Sequence, residues 1–230
     1  MAAFSPIPLS KNQYYDRLTE RVIKKVCSKN SVCIDAGANN GKILALFIKH
    51  SPNTLHYAFE PLPQLYKLLV RKYGSASQVY KVALSNKKGM SDFNAVISDP
   101  AYSGLKKRPY DNPEKDEIIQ VKTDLLDNII EPGVIITLLK LDVEGGEYDI
   151  LLGAKRIITE SRPYILFEFG KGGSDAYHVS SNMMYNFFSS FGYQVNLLDK
   201  FLKKAPPLAL HEFDSEYHKG KEYFFIAYPA

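Results

Sequence analysis

The sequence predicts a doubly wound α/β domain, a mostly parallel sheet with helices on both faces. Three observations carry this expectation. Runs such as Ser31–Asp35 and Leu55–Phe59 are almost wholly apolar, and a strand without polar alternation is buried on both faces. Each is followed by apolar residues at helical spacing, giving β-α-β-α-β in the first third of the chain. The first run also leaves through a glycine-containing turn, Gly37 to Gly41, into the next helix, which is how open α/β sheets expose backbone to a ligand.

Element by element, Tyr14–Lys29 reads as an amphipathic helix, with Leu18, Val22, Ile23 and Val26 on one face and charges between. Ser31–Asp35 is the first strand, Lys42–His50 a helix, Leu55–Phe59 the second strand, Gln64–Tyr73 a helix and Gln78–Leu84 the third strand. Ser91–Ile97 and Glu117–Val121 read as an inserted hairpin around a loop, Ser98–Asp116, rich in Pro, Tyr, Lys and Asp. Asp124–Ile130 is a short helix, Val134–Leu141 a buried strand, Gly146–Thr159 one helix and Pro163–Phe169 a strand. Ser181–Phe191 is a helix whose Met and Phe face suits core packing. Tyr193–Leu198 and Glu222–Tyr228 close the chain as strands. Seven sheet strands with one insertion and no linker describe a single domain over 1–230, with an N-terminal helical extension at 1–30, a core at 31–169 and a C-terminal part at 170–230.

Composition narrows the functional classes. A chain of 230 residues buries roughly 70% of its unfolded surface and needs no disulfide or structural metal. The net charge is +4, and the basic residues fall in scattered pairs such as Lys24-Lys25 and Lys203-Lys204. Nucleic-acid binders concentrate that charge on one face, so a nucleic-acid partner is not expected. Cys27 and Cys33, with no further cysteine, give neither a disulfide framework nor a zinc site. They read as two reduced, mostly buried thiols. Met1–Ser10 lacks the pattern of a signal peptide and no apolar run approaches ~20 residues, so the expected location is the cytoplasm.

The turn Asp35-Ala36-Gly37-Ala38-Asn39-Asn40-Gly41 discriminates between cofactors. A dinucleotide sets its pyrophosphate on the helix N-terminus, where a carboxylate at Asp35 would repel it. S-adenosylmethionine instead presents an ammonium and a sulfonium, which a carboxylate attracts. Position 39 is Asn, so the G-x-G-x-x-G fingerprint also fails. Glu60, ending the second strand, is placed to accept hydrogen bonds from both ribose hydroxyls.

Further strings join this one. Ile34 to Gly41, Phe59-Glu60-Pro61-Leu62-Pro63 and Ala83-Leu84-Ser85-Asn86 resemble the FkbM family of methyltransferases. So do Leu139-Lys140-Leu141-Asp142-Val143-Glu144-Gly145-Gly146-Glu147, Leu151-Leu152-Gly153-Ala154, and Phe167-Glu168 after Arg162-Pro163. The resemblance runs in order through residues 31–169, and the combination is specific where no single string is. It implies a Rossmann-like class I methyltransferase fold, seven strands with the last antiparallel, and methyl transfer to oxygen on a sugar or natural product. Asn40 and Gly146 depart from the family's usual residues. The N-terminal helix and the last 60 residues match no motif.

The cofactor set expected is therefore Asp35 and Asn39 at the methionine end, Gly37 and Gly41 giving backbone access, Glu60 at the ribose, Ser85 near the adenine, and Asp142. Asp142, Glu144 and Glu168 follow two neighbouring apolar strands, where open α/β sheets bind ligands. They have two chemical readings: one acts as general base on the acceptor hydroxyl, or together they hold a hard cation such as Mg²⁺. His178, in the loop after Glu168, is a further candidate base. Glu147 reads as a helix first-turn residue favoured by the helix dipole. The loop 98–116 reads as a lid or as a surface insertion. No Asn-Pro-Pro-Tyr string is present, so oxygen is the expected acceptor atom. The reaction expected is methyl transfer from S-adenosylmethionine to a hydroxyl of a sugar, glycan or small natural product. A nicotinamide-dependent oxidoreductase and a non-catalytic methyltransferase-like binding module are the competing classes.

Overall fold

A computed structural model describes residues 10–110 and 113–230. Residues 1–9 of the N-terminal segment and 111–112 of the long loop lie outside the described residues. Among the described residues, ten strands form two sheets. β1 (Val32–Ala36), β2 (His56–Phe59), β3 (Ser77–Tyr80), β7 (Ile136–Leu141), β8 (Tyr164–Glu168), β9 (Tyr193–Leu197) and β10 (Phe224–Pro229) make a seven-stranded sheet in the order β3-β2-β1-β7-β8-β10-β9. β10 runs antiparallel to both its neighbours. The remaining pairs among β3, β2, β1, β7 and β8 are parallel.

Successive residues of each central strand feed opposite layers. Cys33, Leu138, Leu166 and Phe224 pack on one face against α1 (Lys11–Val26) and Phe47 of α2 (Lys42–His50). Ile34, Leu139, Phe167 and Phe225 pack on the other, against α6 (Lys155–Ser161), α8 (Ser181–Ser190) and α10 (Leu210–Lys219). α1 starts on a capping box, with Ser10 Oγ accepting from Gln13 N and Gln13 Oε1 from Ser10 N.

Two sequence expectations are corrected. Gln78–Leu84 is not one strand: β3 stays in the main sheet, and Ala83–Leu84 is β4, which pairs with β6 (Asp116–Asp124) in a second sheet of order β4-β6-β5. β5 (Gly89–Val96) and β6 are the expected inserted hairpin, antiparallel over eight residue pairs. Gly146–Thr159 is two helices, α5 (Glu147–Leu152) and α6, because the chain turns at Gly153. A Cβ there would lie 2.4 Å from the Ser85 carbonyl oxygen. Asp127 caps the new helix, accepting from Arg156 N at 2.7 Å and Ile157 N at 3.1 Å. The stretch between β9 and β10, for which the sequence predicts no element, is helical, as α9 (Leu198–Leu202) and α10, separated by Pro206-Pro207.

α10 contributes the centre of an aromatic cluster. Phe213 is fully buried and its ring lies 5.6 Å from Phe169 and 4.9 Å from Phe225. Phe213→Ala is expected to cost about 3–5 kcal/mol through the cavity it leaves. A thermal melt should show Tm falling by roughly 10 °C.

Candidate active site

The carboxyl ends of β1, β2, β7 and β8 meet in one cleft. At its base the turn after β1 and the turn after β7 touch backbone to backbone. Gly37 has φ +72°, and a Cβ there would sit 1.9 Å from the Asp142 carbonyl oxygen. The same turn is bound to β2, since Gly37 N and Ala38 N both donate to Phe59 O at 3.1 Å. Gly41, at the N-cap of α2, also has a positive φ, and its missing side chain leaves room for Leu69 and Tyr73.

Glu60 fixes the turn from the β2 side. Its Oε2 accepts from Asn39 N at 2.8 Å and its Oε1 from Leu62 N at 2.9 Å. Asn39 is left-handed, at φ 47°, a conformation its short polar side chain tolerates. Burial pushes the Glu60 carboxyl up to about 7, against the two N–H groups that favour its charged form.

Lys140 lies in the middle of the apolar β7 and is 4% exposed. Its Nζ donates to Gly37 O at 3.0 Å and lies 3.2 Å from Asp35 Oδ1 and 3.4 Å from Asp142 Oδ2. Asp35 pairs with it across β1 and β7, where the two residues are in register. Burial opposes the charge of Asp142, yet Lys140 and Arg108 outweigh it and hold that carboxyl below its usual range.

Asp142, Glu144 and Glu168 each offer an oxygen, all within 4.8 Å of one another. Glu144 is left-handed, φ 63°, and its Oε2 lies 2.6 Å from Arg108 Nη2. Burial and then Asp142 push its carboxyl up, to about 8. Burial and the charges of Asp142 and Glu144 raise Glu168 well above the usual range. One cluster thus sets a carboxyl held low beside two that are pushed up, the separation expected of acid–base sites. Glu147 is structural, as its position in the first turn suggests: its Oε1 accepts from Val143 N at 2.9 Å and Gly145 N at 3.3 Å.

Two hollows flank this cluster. A cavity of about 60 Å³ is lined by Glu60, Leu62, Leu84, Phe93 and Tyr177. A cleft of about 720 Å³ is lined by Tyr15, Tyr102, Arg108, Glu168 and Tyr223. Gly37, Asn39, Asp142 and Glu144 line both, so the hollows join at the strand ends. The inserted segment walls both sides, through Ser103 and Leu105 on the cavity and Tyr102 and Arg108 on the cleft. It is anchored by the Arg108–Glu144 pair and by Lys106 Nζ donating to Ala176 O at 3.1 Å.

Of the residues singled out from sequence, Gly37, Asn39, Glu60, Asp142, Glu144 and Glu168 come together here. Asp35 does not face either hollow; it is wholly buried beneath them, paired with Lys140. Ser85 is buried, with its N–H donating to Asp124 O at 3.0 Å, and lines neither hollow. His178 is exposed and left-handed at φ 57°, on the loop after α7 (Gly173–Ala176), away from both. Lys140 was missed as a site residue, although a lone charge inside an apolar strand was its signal.

A seven-stranded sheet of this order, with its last strand β10 inserted antiparallel beside the edge strand β9 and a cleft at the carboxyl ends of β1 and β7, is the Rossmann-like class I methyltransferase fold. The chain belongs to the FkbM methyltransferase family, whose domain model matches residues 35–195. It is 26% identical over 161 residues to the 2-O-methyltransferase NoeI of Sinorhizobium fredii (strain NBRC 101917 / NGR234), covering 64% of this chain and 66% of that protein, just under two thirds. Among solved structures, a methyltransferase FkbM from Methylobacillus flagellatus KT aligns with a TM-score of 0.56 at 19% identity, over 88% of this chain and 44% of that one. A precorrin-6y C5,15-methyltransferase from Geobacter metallireducens GS-15 aligns with a TM-score of 0.51 at 10% identity, over 99% and 96% of the two chains. Among the described residues no helix is long and apolar enough to cross a membrane.

Removing Lys140 leaves the wholly buried Asp35, whose carboxyl burial already pushes up, without its partner. Lys140→Met is expected to cost about 3–5 kcal/mol in urea unfolding, with part regained when Asp35→Asn is added. Glu147 gives a pH signature. Its folded carboxyl, at about 7, lies above its ordinary 4.5, so the folded state holds the proton longer than the unfolded one. Its contribution to stability is therefore greatest below pH 4.5 and is lost as pH rises to about 7. Glu147→Gln keeps the Oε1 acceptor and removes this loss. At pH 8 the variant should unfold at higher urea than the parent, by up to about 3 kcal/mol, and the gap should close near pH 4.

Proposed function

We propose that this chain transfers a methyl group from S-adenosylmethionine to a hydroxyl of a sugar, glycan or small natural product. The observation that carries the proposal is the Asp142–Glu144–Glu168 cluster at the junction of a small, mostly apolar cavity and a large polar cleft. The lining of the cavity suits an adenosyl group, which at about 60 Å³ it could take only by extending into the adjoining cleft. Glu60 lines it with both oxygens held in place by backbone N–H groups, leaving further lone pairs for ribose hydroxyls. The Tyr177 hydroxyl is buried without a partner and is available to the adenine edge. Gly37 and Asn39 would flank the methionine end, and Asp142, the carboxyl of the cluster held low, would favour a sulfonium over a neutral ligand.

In the cleft, Tyr102 and Tyr223 offer aromatic faces and Asn12 a polar group, a lining suited to a sugar-like acceptor. S-adenosylmethionine would supply an electrophilic methyl group to the acceptor oxygen, the carbon–sulfur bond giving way to a carbon–oxygen bond and a neutral thioether. Asp142, kept ionised by Lys140 and 38% exposed toward the cleft, receives the hydroxyl proton. The same trio of carboxyls also offers oxygens at a spacing a hard cation accepts. Arg108, already paired with Glu144, favours the proton-transfer role.

Calorimetric titration tests the reading. S-adenosylmethionine and S-adenosylhomocysteine are expected to bind with micromolar Kd and NAD not at all, with affinity unchanged when Mg²⁺ is replaced by a chelator. Glu60→Ala should weaken S-adenosylhomocysteine at least tenfold, about 1.4 kcal/mol. Binding of NAD alone would make the chain an oxidoreductase. Binding of none, together with salt-sensitive association with RNA, would make it a non-catalytic module.

A further inference from the structure

The chain has two cysteines, and they are neighbours in space. Cys27 is the first residue after α1 and Cys33 the second residue of β1, with Sγ atoms 3.7 Å apart. The turn between them is held by its own hydrogen bonds: Ser28 N donates to Ser31 Oγ at 2.9 Å and Ser31 N to Ser28 O at 3.2 Å. The two thiols are thus kept together by local structure. They also differ in access, since Cys27 is half-buried and Cys33 has no exposed surface.

The geometry points to a redox-active dithiol, in which Cys27 is the attacking thiol and Cys33 the resolving one, oxidised reversibly by a hydroperoxide. An accessible thiol poised beside a buried partner is the arrangement on which thiol oxidation proceeds to a disulfide rather than to higher acids. The surroundings favour a Cys27 thiolate. The Cys33 thiol, in contact with it, holds the Cys27 thiol below the usual range against the effect of burial. Ser51 Oγ is buried with no hydrogen-bond partner. The C-terminal end of α1 works the other way, and Lys24 and Lys25 in the same turn offset it. Cys33 is held as the neutral thiol, because the Cys27 sulfur, burial and Asp35 all push it up. An oxygen atom of the peroxide is first transferred to Cys27, giving a sulfenic acid and water. The Cys33 sulfur then attacks the Cys27 sulfur, forming the S–S bond and releasing the second water. Two thiols lose two electrons and two hydrogens, and one hydroperoxide group is reduced.

Closure draws the two sulfurs from 3.7 Å to about 2.0 Å. β1 has an irregular register on β7 between Val32 and Cys33, next to the bridge. The link ties α1, which supplies Asn12 and Tyr15 to the cleft, to the strand that carries Asp35. This site stands independently of the methyl-transfer proposal.

The test is intact-mass spectrometry of the native chain after brief exposure to a small excess of hydrogen peroxide, followed by unfolding in an alkylating reagent. The expected result is loss of two hydrogens' mass and complete loss of alkylation at both cysteines, with dithiothreitol restoring both. In Cys33→Ser the peroxide should instead leave Cys27 as a sulfenic acid, trapped as its dimedone adduct, and in Cys27→Ser no bridge and no adduct should form. Two alkylatable thiols after peroxide, a bridge only between chains, or as much dimedone adduct in the parent as in Cys33→Ser would overturn the assignment. Thermal melts of both variants identify a folding defect, in which case the parent's mass result alone decides.

Discussion

The cleft depends on one buried ammonium. Lys140 Nζ ties the carbonyl of the β1 turn, the wholly buried Asp35 and the cleft-facing Asp142 into one unit. Burying each ion costs several kcal/mol and is repaid only when the charges meet in good geometry. Here the register of β1 on β7 sets Asp35 directly opposite Lys140. The pairing is therefore as much a consequence of the sheet as a support for it. Without the ammonium, the wholly buried Asp35, whose carboxyl burial already pushes up, would have no partner, and Asp142 would lose the group that holds its carboxyl low.

From that unit the site builds outward. Gly37 allows the β1 and β7 turns to touch, Glu60 clamps the first turn from β2, and Glu147 clamps the second from α5. Both clamps use a buried carboxyl on backbone N–H groups, so turn geometry is fixed without a ligand. This is preorganisation in its ordinary sense: groups that would meet a ligand are held before it arrives. The inserted hairpin is the variable part. It adds a second sheet and walls both hollows, and its Arg108 reaches the carboxyl cluster from outside the main sheet.

The sheet was legible because its strands are apolar on both faces, a pattern that survives without knowledge of tertiary contacts. Elements fixed by contacts were not. The break between α5 and α6 depends on Gly153 lying against the Ser85 carbonyl, and the departure of β4 into the second sheet depends on pairing with a strand some 40 residues away. In the site, Glu60, Asp142, Glu144 and Glu168 were legible as carboxylates at strand ends. Asp35 was legible as important but not in its role, because the attraction expected toward a cationic cofactor is taken up by Lys140. His178 and Ser85 followed from position along the chain, and loop conformation after β8 and strand pairing at β4 turn them away from the hollows.

The account holds that one ligand spans both hollows past the carboxyl cluster. A crystal structure of the chain with S-adenosylhomocysteine tests this most directly. The account predicts adenine in the cavity beside Leu84 and Tyr177, the ribose hydroxyls on Glu60, and the thioether sulfur facing Asp142 and Glu168. Adenine in the large cleft, or a ribose held away from Glu60, would contradict it.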